Sequence, residues 1–328
     1  VQASAKTREY TYRSVALATW NPAVALVGEI AILIYTVANC IARPIILGDY
    51  FAKDIDKYSD ASLWQNHAFL IALILGSVVF PLCILRNIDA LRYTSFFSLV
   101  CVVFTVIVVV IRLFTNGVNH SPKLFNASPD LLLAFPLLTV SFTAHYNVFR
   151  IFQELASGSA QEMQRIVIGS TTLCLVFFAV IGIAGYLTFG EKTEDNILNN
   201  YGDGDELAWI ARLALACAIT LSFPLVLYAC RRSLLTLVYY GRPFSWPIHV
   251  GVAVLLIIVS GVVAVLLPEI KFVFGFSGCT VGVTFVFILP GMFTARLQRE
   301  RLGWTVAALG VLIGALGMGG AIYNTLRG

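Results

Sequence analysis

Between Ser141 and Asn147 the chain reads Ser-Phe-Thr-Ala-His-Tyr-Asn. The run offers two aliphatic hydroxyls, a phenol, an imidazole and a carboxamide, the groups that bond a small polar solute. Leu131 to Leu138 leads into it and Val148 to Phe152 follows, so the run sits at bilayer depth. Hydrocarbon satisfies none of these groups, which must therefore face other protein or a water-filled cavity. Polar groups at that depth mark a substrate or ion pathway. A second grouping sets Thr220 and Ser222 just before Pro224. Carbonyls freed by a proline kink, together with adjacent hydroxyls, can coordinate a small cation. The blander reading is a kink absorbed by neighbouring helices. Pro136 stands just before the polar run, and Pro290-Gly291 interrupts a later apolar stretch.

Other chemistry finds little support. No P-loop, GxSxG or HExxH occurs, and His67, His120, His145 and His249 are scattered over different segments. A metal centre is not expected. Glu29 is the carboxylate that falls clearly inside an apolar stretch, and without an obvious partner it argues against an intramembrane hydrolase. Snorkelling or an interhelical bond accounts for it better than proton coupling does. The seven cysteines (Cys40, Cys83, Cys101, Cys174, Cys217, Cys230 and Cys279) all fall in apolar stretches without CxxC spacing. They read as packing residues.

The elements that position these groups are membrane spans. Of 328 residues, 59% are hydrophobic and 12% charged, with a mean hydropathy of +0.85; a soluble domain would carry about twice that charge. A window of about 20 residues yields nine expected spans, at 22–46, 66–85, 92–114, 131–149, 166–189, 207–230, 246–267, 272–294 and 303–325. Loops between them are mostly short, so the expectation is one all-α membrane domain over 1–328.

With the N-terminus cytoplasmic, thirteen of the 22 basic residues fall on the inner side and nine, Arg43 among them, on the outer. That lysine/arginine bias sets the orientation and leaves the C-terminus non-cytoplasmic. The sequons Asn119-His-Ser121 and Asn126-Ala-Ser128 then lie outside, although the proline after each weakens it as a glycosylation site. The net charge of +4 follows from the inner bias and implies no nucleic acid. Gly278-x-x-x-Gly282 and Gly310-x-x-x-Gly314 have the spacing of close helix packing.

The run Phe142-Thr-Ala-His-Tyr-Asn-Val-Phe-Arg-Ile-Phe-Gln-Glu-Leu155 resembles the signature of the amino acid/auxin permease family, nearest to its sodium-coupled neutral amino acid transporters. Four further stretches are similar, in order: Pro81-Leu-Cys-Ile-Leu-Arg-Asn87 with Tyr93-Thr-Ser95; Gly185-Tyr-Leu-Thr-Phe-Gly190 with Asn196-Ile-Leu198; Thr220 to Tyr228 with Arg231-Arg232; and Phe274-Gly-Phe-Ser-Gly278 with Phe287-Ile-Leu-Pro290. Arg150 departs from the pattern, standing where relatives have proline; it reads as tolerated by snorkelling, or as a change to cytoplasmic gating.

The resemblance implies the leucine-transporter type of fold, eleven helices in two inverted repeats, with the first two lying before Val1 and nine present here. It implies a secondary active transporter of neutral amino acids, working by alternating access and coupled to sodium or protons, with no other cofactor. Ser141, Thr143, His145, Asn147 and Asn39 are then expected to line the substrate cavity, with His145 able to sense pH. Thr220 and Ser222 are expected to ligate the coupling ion. The partners implied are the amino acid and the bilayer, in a plasma or vacuolar/lysosomal membrane. Two rivals are a transporter-like amino acid sensor, disfavoured by the short inner loops, and a non-functional fragment. The transcript upstream of Val1 would separate the latter from a transporter.

Overall fold

The computed structural model describes residues 11–55, 67–84, 91–118, 131–155, 159–202, 204–239, 245–267, 270–298 and 300–327, with Ser4, Thr7 and Glu9. Among them there is no strand. A short helix, α1 (Tyr12–Thr19), is capped by Thr11, whose hydroxyl accepts from the Ser14 N–H at 3.0 Å. It leads into α2 (Pro22–Ile55). The short helix α3 (His67–Ile74) continues through a π-helical turn at Leu75–Val79 into α4 (Phe80–Ile84). Then come α5 (Leu91–Asn116), α6 (Leu131–Ser141), α7 (His145–Glu154) and α8 (Ala160–Phe189). Next are α9 (Glu206–Val238) and α10 (Trp246–Leu266). The helix α11 (Ile270–Ser277) runs through π-helical turns at Gly278–Gly282 and Thr284–Ile288 into α12 (Leu289–Gln298). The last helix is α13 (Arg301–Arg327).

Seven helical stretches among the described residues are long and apolar enough to cross a membrane, and Ala68–Ile84 is a shorter apolar one. The remaining stretch read from the sequence, 131–149, is two helices rather than one, parted at Phe142–Ala144. Both sequons and residues 85–90 lie outside the described residues, as does the Arg150 side chain.

Helix α9 sits at the centre, packed along both α2 and α5. One core joins Ile45 of α2, Ile71 and Val79 of the α3–α4 segment, Phe223 and Leu227 of α9, and Ala253 of α10. A second joins Val15 of α1, Tyr35 of α2, Val140 of α6, and Phe285 and Phe293 of the α11–α12 segment. A third gathers Leu47, Val108, Leu198 and Ala211 at the far end of α2. Outward faces stay apolar: Ile168, Leu175 and Ile183 of α8 and Ile258 and Val262 of α10 are all exposed. Such surface suits lipid rather than water. Five cysteines are buried, but Cys174 and Cys217 face outward, so packing inside the core does not account for those two.

The start of α9 follows from local chemistry. Asp205 accepts from the Ala208 N–H at 2.9 Å, as an N-cap does, and also pairs with Arg112 of α5. Nearby, Arg212 is fully buried and donates to the Leu198 carbonyl at 3.2 Å, while Tyr50 bonds Asn196 at 3.2 Å. These bonds tie the loop after α8 onto the bundle. Burial lifts the Tyr201 phenol beside it to about 12. Replacing Asp205 with alanine removes the cap and leaves Arg112 without its carboxylate. Thermal unfolding of the purified protein should show a loss of about 1–3 kcal/mol, whereas Glu194→Ala on the exposed loop should change little.

The glycine spacings read as close packing hold up. A Cβ on Gly278 would lie 2.2 Å from the Pro136 carbonyl oxygen of α6, and one on Gly314 would lie 2.7 Å from the Cys279 oxygen. Backbone thus meets backbone where α6, the π-helical turn and α13 converge.

Candidate functional site at the broken helix

The polar run is where the helix breaks. Pro136 inside α6 already removes one helical donor. Beyond Ser141 the chain turns: the Thr143 N–H bonds the Val140 carbonyl at 3.0 Å and the Ala144 N–H bonds the Phe142 carbonyl at 3.1 Å. Ala144, at φ −112° and ψ 6°, then starts α7 without a side-chain cap.

Two backbone oxygens at the break are met from α2. The Tyr35 hydroxyl lies 2.9 Å from the Thr143 oxygen and 3.2 Å from the Val140 oxygen, sharing one proton between them. Its ring packs on Tyr146 at 5.4 Å and on Phe285 at 6.5 Å between centroids. One and two turns further along α2 stand Asn39 and Arg43, so Tyr35, Asn39 and Arg43 form a stripe at four-residue spacing through the middle of the helix. The Asn39 amide donates to the Tyr35 carbonyl at 3.0 Å, and Arg43 crosses to α9.

The expected site residues divide into three groups. Asn147 lines a cavity of about 280 Å³ with Ile32 and Glu29 of α2, Tyr12 and Arg13 of α1, and Tyr228 and Ser233 of α9. That volume lies near the lower end for small-molecule sites, about 300 Å³ upward. At the break, Thr143 is buried and its hydroxyl donates to the Thr139 carbonyl at 2.6 Å, while His145 is half-buried. The His145 Nδ1 atom is buried with no hydrogen-bond partner among the described residues. Ser141 instead is exposed and bonds the Leu137 carbonyl at 2.8 Å. The third group lies across the bundle on α9. The Thr220 hydroxyl donates to the Ala216 carbonyl at 2.8 Å, and the Ser222 hydroxyl to the Ile219 carbonyl at 3.1 Å. Both are the back-bonds that Ser and Thr make in helices.

Arg43 modifies that picture. Its Nη1 donates to the Ser222 hydroxyl oxygen at 2.6 Å and to the Ile219 carbonyl at 3.0 Å. The charge count assigns Arg43 to the outer side; the structure places it inside α2, with its guanidinium against α9. Glu29, without an obvious partner in the sequence, accepts from the Ser233 hydroxyl at 3.0 Å on its carboxylate, and the same hydroxyl reaches its carbonyl. An interhelical bond therefore holds it at the rim of the cavity. Burial raises the Tyr12 phenol there well above its ordinary range, so it stays neutral.

Sequence reasoning passed over Tyr35 and Arg43. The signal that could have found them is the four-residue spacing of Tyr35, Asn39 and Arg43 through an apolar span.

Residues 1–327 of the 328 match the family described as transmembrane amino acid transporter protein. The chain belongs to that family. It is 29% identical over 284 residues to the sodium-coupled neutral amino acid symporter 2 of Danio rerio, covering 78% of this chain and 56% of that protein. It is similar to the sodium-coupled neutral amino acid transporter 4 of Rattus norvegicus, 28% identical over 323 residues, and to that of Homo sapiens, 29% identical; each alignment covers 76% of this chain and 59% of the relative. The chain thus spans less than three fifths of the length of these curated relatives.

Proposed function

We propose that the protein is a secondary active transporter that moves neutral amino acids across a membrane by alternating access, driven by sodium or protons. The observation that carries this reading is the non-helical stretch Phe142–Ala144 inside an apolar segment, beside a polar-lined cavity. Irregular backbone is tolerated at membrane depth only where it is buried in protein or lines a cavity, and transporters use such breaks to hold solutes. Family membership and relatives named as sodium-coupled neutral amino acid transporters support it from another side.

In this reading the uncapped start of α7 faces a substrate carboxylate with its free N–H groups. Asn147 and His145 add side-chain bonds, and Thr143, Ser141 and Asn39 shape the break and its neighbourhood. Thr220 and Ser222 supply hard oxygen to a coupling ion. The end bearing Arg231 and Arg232 is cytoplasmic, as the basic bias directs.

Uptake of radiolabelled neutral amino acids by the full-length protein in proteoliposomes tests the proposal. Accumulation is expected under an inward sodium or proton gradient and not without one. No uptake under either gradient would sink it. Asn147→Ala should lower the initial rate by about tenfold, the equivalent of ~1.4 kcal/mol in binding, with the folded fraction unchanged.

A further inference from the structure

The strongest unabsorbed feature of the bundle is the guanidinium of Arg43. Within an apolar helix it is held by two oxygens of α9, at 2.6 Å from the Ser222 hydroxyl and 3.0 Å from the Ile219 carbonyl. Among the described residues no carboxylate pairs with it; the ion pair found is Arg112 with Asp205, elsewhere. Its ionisable neighbours are Tyr146, Cys40 and Tyr35, all neutral as phenol or thiol. A charge at this depth is costly and is retained by oxygen ligands. Pro224 adds to them, because it has no N–H to offer the Thr220 carbonyl one turn back. This corner of α9 is therefore a cluster of hard oxygens built to hold a cation, and the cation it holds is the protein's own.

We propose that Arg43 is an internal competitor of the coupling ion: its guanidinium and a monovalent metal cation are alternative occupants of the Ser222–Ile219 oxygens. The inference rests on the reading of Thr220 and Ser222 as ion ligands. Two like charges cannot share oxygens a few ångströms apart in a medium of low dielectric constant, so sodium binds only when Arg43 withdraws. Arg43 stands two turns from Tyr35 on the same face of α2, and Tyr35 touches both the break and Tyr146. Exchange of the two cations is thus mechanically joined to the broken helix. Arg43 acts as a positioning residue that sets how much sodium the protein needs.

The test uses the purified full-length protein, wild type and with Arg43→Met, Arg43→Gln or Arg43→Lys. Sodium-dependent thermal stabilisation is titrated against a choline control, and sodium activation of uptake is measured beside it. Both neutral variants should bind sodium with a half-saturating concentration at least tenfold below that of wild type. The lysine variant, which keeps a cation, should stay within about threefold of wild type. Arg43→Gln keeps a polar but uncharged side chain and serves if Arg43→Met does not fold. Adding Ser222→Ala to either neutral variant should abolish the gain. An unchanged or weakened sodium response in the neutral variants overturns the proposal, as does an equal gain in Arg43→Lys. Stabilisation needs no transport, so a sodium gain without uptake refutes the transporter reading alone, and uptake without the gain refutes the competitor alone.

Discussion

Replacing Gly278 with valine is expected to separate α6 from the turn beneath it and to abolish transport. A Cβ at Gly278 would lie 2.2 Å from the Pro136 oxygen, 2.7 Å from the Pro136 carbonyl carbon and 2.9 Å from a Val140 methyl. Two of these atoms are backbone and cannot rotate away. Ordinary overpacking costs about 1–3 kcal/mol, and this position belongs at or above the top of that range. The displacement also falls on the helix that leads into the break, which begins six residues after Pro136, so uptake should fall below detection before the whole bundle unfolds. Thermal unfolding and initial uptake rate of the purified protein read both effects. Gly251→Ala is the control: nothing lies within 4 Å of its added Cβ, and within α10 it should be neutral or stabilising by about 0.5–1 kcal/mol. If Gly278→Val behaves like this control, the packing account is wrong.

Tyr35→Phe carries the second large effect. One hydroxyl spans the Val140 and Thr143 carbonyls and is the contact through which α2 holds the break. Phenylalanine keeps the ring packed against Tyr146 and Phe285 and deletes only the donor. The Val140 carbonyl keeps its bond from the Thr143 N–H, but the Thr143 carbonyl loses its donor away from water, which costs about 1–3 kcal/mol. The expected result is a loss of that size in stability and a roughly tenfold drop in uptake, the latter equivalent to ~1.4 kcal/mol. The uptake loss should exceed that of Tyr50→Phe, which removes a comparable bond to Asn196 at the far end of the bundle. Equal losses in the two variants would show that the hydroxyl matters for stability alone.

Much of the architecture was legible because apolar runs of span length have few alternatives in hydrocarbon. The stretches containing α2, α5, α8, α9, α10 and α13 could be drawn from hydropathy alone. The polar run was legible as a break in that pattern, and its resemblance to a transporter signature agrees with the family match. What hydropathy could not register is direction. Ser141 and Thr143 look equivalent in the sequence, two residues apart, yet one is exposed and the other buried against α2. Arg43 looks like the end of a span, and only the position of α9 reveals why it stays inside.

The sequence by itself determined that this is a bundle of apolar helices, interrupted at Ser141–Asn147 and short of one backbone donor at Pro224, because those features depend on composition and on proline's missing donor. The tertiary structure decided which groups meet across the gaps. Tyr35 caps the broken helix, Ser233 holds Glu29, and Arg43 lies on Ser222, at separations of 105, 204 and 179 residues. Such bonds depend on helix rotation and register, which are settled by side chains packing against side chains, down to single glycines such as Gly278.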